Sequence, residues 1–192
     1  MADAVLALPP ARQPRRRELL FATAFATGGV LMCMVTLMGV YLAARNAGGI
    51  AWLANNPIPL AQPNMQALTM AMSVVTMQWA VYSISRDDRA HTYVALGVTL
   101  VLAAAFINQT TFLYKQAGVT MAQAEGPVFY AVTGGHLAMV IAGMIFLVLM
   151  GFRALGGQFS SRQPDGISAA AVYWYACVAV YAVVWVGVYI MK

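Results

Sequence analysis

The chain has 192 residues, of which 61% are apolar and only 9% charged, against about 25% charged in an ordinary soluble domain. A soluble surface cannot be built from that composition, and the length holds one domain. The net charge of +5 raises nucleic acid as a partner, but the basic residues lie between apolar runs. They are therefore assigned to membrane topology, and no nucleic-acid role is expected.

A basic segment, 1–18, precedes the first apolar run at 19–44, with Arg15, Arg16 and Arg17 just before it. A signal peptide has an apolar stretch of about 7 to 15 residues. This run is much longer and is read as a retained helix. Further runs follow at 65–85, 92–114, 127–152 and 168–191, each bounded by charged, Pro-containing or Gly-containing segments. Each is long enough to cross a bilayer as a helix, and none alternates in polarity as a barrel strand would. The expected fold is an all-α integral membrane bundle of about five transmembrane helices, forming one domain over 19–192.

With the N-terminus in the cytoplasm, the inside segments carry Arg12, Arg15, Arg16, Arg17, Arg86, Arg89, Arg153 and Arg162, and the outside segments only Arg45, Lys115 and Lys192. Eight against three predicts N-in, C-out. The first outside segment, 45–63, holds Trp52 with Pro57, Pro59 and Pro63. The prolines disfavour helix there, and the segment suits the membrane surface and contact with a neighbour. Trp52, Trp79 and Arg45 are candidates for lipid or partner contact. Trp79 and Trp174 are read as interfacial or core aromatics.

Within the runs there is no Asp or Glu, the groups that normally carry proton relays and ion sites inside a membrane. A pump working through its own carboxylate is thereby disfavoured. The polar exceptions noted are His136 and the run Asn108, Gln109, Thr110 and Thr111, all expected to face other helices, since hydrocarbon offers no partners. His91, the other histidine, sits at the cytoplasmic mouth of the third helix. His136 lies roughly 14 Å in from the opposite face at about 1.5 Å per residue, so the two do not share one metal. Cys33 and Cys177 fit as small core residues, with no metal or redox spacing. In the fourth helix Gly134, Ala138 and Ala142, with Gly135 and Gly143 on a nearby strip, predict close helix approach. Thirteen methionines add adaptable packing surface.

The stretch GPVFYAVTGGHLAMVIAGMIFLV resembles the segment of subunit III of haem-copper oxidases in which an F-Y-x-x-T-G-x-H pattern precedes a glycine-containing helix. AVYWYACVAVYAVVWVGVYIMK resembles that subunit's closing Y-W-H-F-V-D-x-V-W helix, GGVLMCMVTLMGVYLAAR its first helix in the five-helix form, and INQTTFLYK falls where the family often has G-Q-x-Y-E-Y. The matching positions are Gln109, Phe129, Tyr130, Thr133, Gly134, His136, Gly143, Tyr173, Trp174 and Tyr189. The departures each remove a titratable group: Val30 and Phe112 stand where the family has Glu, Met139 replaces a His, and Tyr175 and Val178 replace a His and an Asp.

The resemblance implies a non-catalytic accessory subunit of a haem-copper terminal oxidase or a related respiratory complex, including a nitric oxide reductase. It implies no catalytic residues and no metal in this chain, with haem and copper in the catalytic subunit I beside it. Bound structural phospholipid, support of turnover and a bacterial plasma-membrane location follow from the same likeness. The chain's missing carboxylates put proton-related functions in doubt. Of the other readings, a small transporter or channel is disfavoured by an odd helix count and the absence of a broken helix pair. A membrane haem or quinone-reactive protein is disfavoured by the separation of the two histidines.

Overall fold

The computed structural model describes residues 17–49, 52, 58–161 and 163–191. Five helices run in chain order: α1 (Glu18–Gly48), α2 (Ala61–Ser85), α3 (Arg89–Ala117), α4 (Gly126–Leu155) and α5 (Asp165–Val184), the last continuing as a π-helical turn over Trp185–Ile190. All five are long and apolar enough to cross a membrane. Among the described residues there is no strand, only one isolated bridge between Ser160 and Gln163. Arg12, Arg15, Arg16, Arg162, Lys192 and Pro57 lie outside the described residues.

The helices extend past the apolar runs because polar residues at membrane ends continue the backbone ladder into the headgroup zone. The expected start of the second helix at 65 is corrected to Ala61, so Pro63 belongs to the first turn of α2 and not to an extended loop. A first-turn proline gives up no helical hydrogen bond, since its N–H would lack a partner there anyway. α3 begins at Asp88, whose carboxylate accepts the backbone N–H of His91 at 3.1 Å, a side-chain cap for an otherwise orphaned donor. It ends at Gly118, which takes the left-handed conformation (φ 61°) that glycine adopts without steric cost.

Neighbouring helices in the chain run antiparallel, and α2 and α3 are joined by residues 86–88 alone. That turn places Asp87 at φ 59°. Its carboxylate accepts the backbone N–H (2.6 Å) and hydroxyl (2.5 Å) of Ser161, tying the α2–α3 turn to the α4–α5 connection. α5 is the hub, packing against α1, α2 and α4, while α3 lies between α2 and α4. Its apolar window is 56% buried, against 17% for α1.

The polarity is inverted relative to a soluble bundle. Phe25, Met32, Val35 and Val101 face outward, whereas Gln66, Ser73, Thr99, Thr110, Thr133 and His136 are buried. A bilayer rewards this arrangement, because apolar surface costs nothing against lipid and polar groups must find partners between helices.

Candidate functional site

α2 supplies a buried strip at Gln66, Met70, Ser73, Met77, Ala80 and Ile84, the 3- and 4-residue spacing that keeps side chains on one helix face. Two of its members are polar, and both reach α5. The Gln66 side-chain amide donates to Thr110 Oγ1 at 2.8 Å. The Tyr181 hydroxyl lies 3.0 Å from Gln66 Oε1 and 2.9 Å from the Pro63 carbonyl, sharing one proton between two acceptors. Lower on the strip, Trp174 Nε1 donates to Ser73 Oγ at 3.0 Å, and the Ser73 hydroxyl donates to the Met70 carbonyl at 2.7 Å.

His136 enters from α4. Its Nε2 is 2.9 Å from the Cys177 carbonyl. A carbonyl only accepts, so Nε2 carries the proton. Phe106 stacks edge-to-face with both His136 and Tyr181, with centroid separations of 5.4 and 5.2 Å. Four helices thus meet at Gln66, Phe106, His136 and Tyr181.

Of the residues singled out from sequence, His136, Thr133 and Trp174 are each buried in the interior, Trp174 against Gly143 and Ser73 and apart from the other two. Thr133 accepts the Tyr114 hydroxyl at 3.0 Å, and the Tyr173 hydroxyl donates to the Met139 carbonyl at 3.2 Å. Gln109 pairs with Thr69 between α3 and α2. Trp52 donates its indole N–H to the Tyr41 hydroxyl at 3.2 Å. Trp79 stands by His91 near one end of the bundle, 5.9 Å between ring centroids, and Arg45 is in the last turn of α1.

Two expectations are corrected. Asn108 and Thr111 are exposed and only Gln109 and Thr110 turn inward, because successive residues point about 100° apart and four in a row cannot share one face. The ladder Gly134, Ala138 and Ala142 likewise turns away from the core, with both alanines exposed. The close approach is made by the neighbouring strip. A Cβ on Gly143 would stand 3.1 and 3.2 Å from Trp174 ring atoms, and one on Gly135 3.2 Å from Leu37 of α1.

Gln66, Ser73, Cys177 as a backbone acceptor, and Tyr181 are the members that sequence reasoning missed. The Gln66–Met70–Ser73–Met77 spacing on α2 is the signal that marks two of them.

The family model for cytochrome c oxidase subunit III matches residues 30–192. The chain belongs to the cytochrome c oxidase subunit III family. Among similar proteins, cytochrome c oxidase subunit 3 of Bos taurus is 33% identical over 132 residues, 68% of this chain and 51% of that protein. Its counterpart in Syncerus caffer is 32% identical over 136 residues, 70% of this chain and 52% of the other. The sea urchin Strongylocentrotus purpuratus protein of the same name is 33% identical over 131 residues, 66% and 50% of the two chains. The chain spans about half the length of the curated relatives it matches.

The positions read from sequence as departures from the subunit III pattern hold side chains without a carboxyl or imidazole, in different surroundings. Val30 is half-buried against the core and Met139 is in it. Phe112 points outward, and the Tyr175 hydroxyl donates to Gln78 Oε1 at 2.6 Å. Every described acidic residue, Glu18, Asp87, Asp88, Glu125 and Asp165, lies at a helix end or in a connection. Among the described residues no group of three or more His, Cys, Asp or Glu is placed to hold a metal ion. The interior therefore offers neutral donors and acceptors already engaged with one another, an arrangement that fixes helix register.

Proposed function

We propose that this chain is a non-catalytic accessory subunit of a haem-copper terminal oxidase or a related respiratory membrane complex, seated beside the catalytic subunit that carries the haem and copper. The observation that carries the proposal is the use of His136, the most distinctive polar residue of the subunit III motif, as a strut from α4 to the Cys177 carbonyl of α5. A donor committed to a backbone carbonyl inside the core stabilises a scaffold and is unavailable to a substrate. Orientation with the N-terminus in the cytoplasm, in the plasma membrane of a bacterium, agrees with the excess of arginine on that side.

Phospholipid is part of the same reading. Between α1 and α5 runs a groove of about 370 Å³ walled by Leu31, Met34, Val35, Met38, Val180 and Val183 and opened by Gly39. An acyl chain fits such a surface, and no polar ligand would be held there. The substitution of the family's carboxylates by Val30 and Phe112 argues that support of proton uptake, where it occurs, uses other groups.

The test is isolation of the tagged chain in mild detergent from its own membranes. Stoichiometric haem, seen as a Soret band together with a catalytic subunit in the same peak, is the expected result. Oxygen or nitric oxide consumption by that peak then distinguishes an oxidase from a nitric oxide reductase. A colourless chain that conducts solute flux in liposomes sinks the proposal.

A further inference from the structure

The groove between α1 and α5 stops at mid-depth. Its α1 wall runs from Leu31 to Leu42, about 16 Å, and begins two residues short of Cys33, the midpoint of the 31-residue α1. Its α5 wall, Ala179, Val180, Val183 and Val184, lies wholly beyond the midpoint of the Asp165–Ile190 span. Both walls therefore sit in the half of the bundle at the C-terminal ends of α1 and α5. Half of a hydrocarbon core about 30 Å thick is about 15 Å, so the groove has the depth of one leaflet. A partner's transmembrane helix packs through both leaflets, whereas an acyl chain ends at the midplane.

Arg45 stands at the mouth of that groove. Leu31, Met34, Met38, Leu42 and Arg45 follow one another at three- and four-residue intervals, which keeps them on one side of the helix. Arg45 is nearly one turn, about 5 Å, past the last apolar wall residue. It is half-buried, and among the described residues it has no ion-pair or hydrogen-bond partner. Trp52 and Tyr41 mark this level as the headgroup zone. The Trp52 indole donates to the Tyr41 hydroxyl at 3.2 Å and its ring covers Gly48, and such amphipathic rings gather where hydrocarbon meets water. A phosphate at that level presents oxygens that match the planar guanidinium fork. No carboxylate is among the residues that wall the groove, so an ammonium headgroup finds no counter-charge there. The charge of the site therefore favours a net negative lipid over a zwitterionic one.

We infer that the groove takes one acyl chain of an anionic phospholipid from the leaflet at the C-terminal end of α1, the outer leaflet in the orientation proposed above, with Arg45 holding the phosphate. This rests on the acyl-chain reading of the groove and adds the headgroup, its charge and the leaflet.

The test uses the full chain, stripped of lipid in detergent and given phosphatidylglycerol or phosphatidylethanolamine with matched acyl chains, bound lipid being counted by native mass spectrometry. A Cβ on Gly39 meets nothing within 4 Å in the chain itself, so Gly39→Leu fills the groove and leaves the chain's own packing intact. Gly29, which is not among the groove's walls, has the same open surroundings, and Gly29→Leu is the control. The wild-type chain should retain phosphatidylglycerol over phosphatidylethanolamine by about tenfold, the equivalent of ~1.4 kcal/mol. That preference should vanish in Arg45→Gln and largely persist in Arg45→Lys, while Gly39→Leu loses both lipids and Gly29→Leu behaves as wild type. Phosphatidylglycerol with a diazirine at the end of one acyl chain should label α1 beside Leu31, and the label should disappear in Gly39→Leu. Equal retention of the two lipids by wild type, a preference that survives Arg45→Gln, or labelling beside Leu42 overturns the headgroup assignment and leaves the acyl-chain reading standing. Wild-type lipid retention and labelling in Gly39→Leu overturns the acyl-chain reading, and this inference with it.

Discussion

Gly143→Ala places one methyl group against two aromatic rings of α5 that are each held by a hydrogen bond. The new Cβ would lie 3.1 and 3.2 Å from Trp174 and 3.2 Å from Tyr173, tighter than ordinary van der Waals contact. Trp174 is fully buried and tethered through its indole N–H to Ser73, while Tyr173 is tethered to the Met139 carbonyl. Neither ring can move away without stretching a hydrogen bond. Overpacking of this kind costs roughly 1–3 kcal/mol, and loss of an interhelical hydrogen bond in a membrane protein about 0.6 kcal/mol on average. Unfolding in mixed micelles with increasing denaturing detergent should place Gly143→Ala about 1–3 kcal/mol below wild type. A double-mutant cycle with Ser73→Ala then tests the route. If the methyl acts by pushing Trp174 off Ser73, the two losses should sum to about 0.6 kcal/mol more than the double variant shows. A neutral Gly143→Ala, or strict additivity, would refute the argument that the Ser73 tether holds Trp174 against α4.

His136→Leu removes the strut to Cys177 and should lower stability by about 0.6–1.7 kcal/mol and reduce assembled complex, with turnover per haem retained; normal assembly with abolished turnover, measured by haem-normalised oxygen or nitric oxide consumption, would contradict a structural role. Asp88 has its carboxyl held below the ordinary carboxylate range, chiefly by the backbone N–H of His91 and then by the His91 side chain. Its cap therefore contributes fully above the unfolded carboxylate pKa near 4 and is lost as pH falls through the lowered folded value. Amide exchange at the start of α3, followed from pH 6 down to pH 2, should accelerate at the acid end in wild type and be fast throughout in Asp88→Ala; equal protection in the two chains would exclude the cap. Val30→Glu puts a carboxyl three residues from the midpoint of α1 and should destabilise the chain by up to about 3 kcal/mol. Wild-type stability, in the same micelle assay, would mean that water already reaches that position.

The residues chosen from motif resemblance did not all acquire the same standing. His136, Thr133 and Trp174 could be picked out because each is polar or amphipathic inside an apolar run, and such groups are confined to helix interfaces. Gln66 and Ser73 carry the same signal, but the interruptions that Pro63 and Asn64 introduce near the start of α2 obscure it. The small-residue ladder on α4 misled for a different reason. A spacing of four puts residues on one helix face without saying which face, and in an apolar helix neither side is marked as inward by hydrophobicity.

Composition, run length and the lack of alternating polarity determined an all-helical membrane chain with five crossings, because only helices and closed barrels satisfy the backbone in hydrocarbon and these runs do not read as barrel strands. Sequence also placed the acidic residues outside the crossings. What tertiary structure decided was the partner of each polar group: that α5 is the hub, that His136 is spent on Cys177, that Gly143 and not Gly134 admits a neighbouring helix, and that Asn108 is left facing outward. Those outcomes depend on the rotation of each helix about its axis, and in a chain that is apolar on every side that rotation is set by which side chains interlock and not by the hydrophobic pattern.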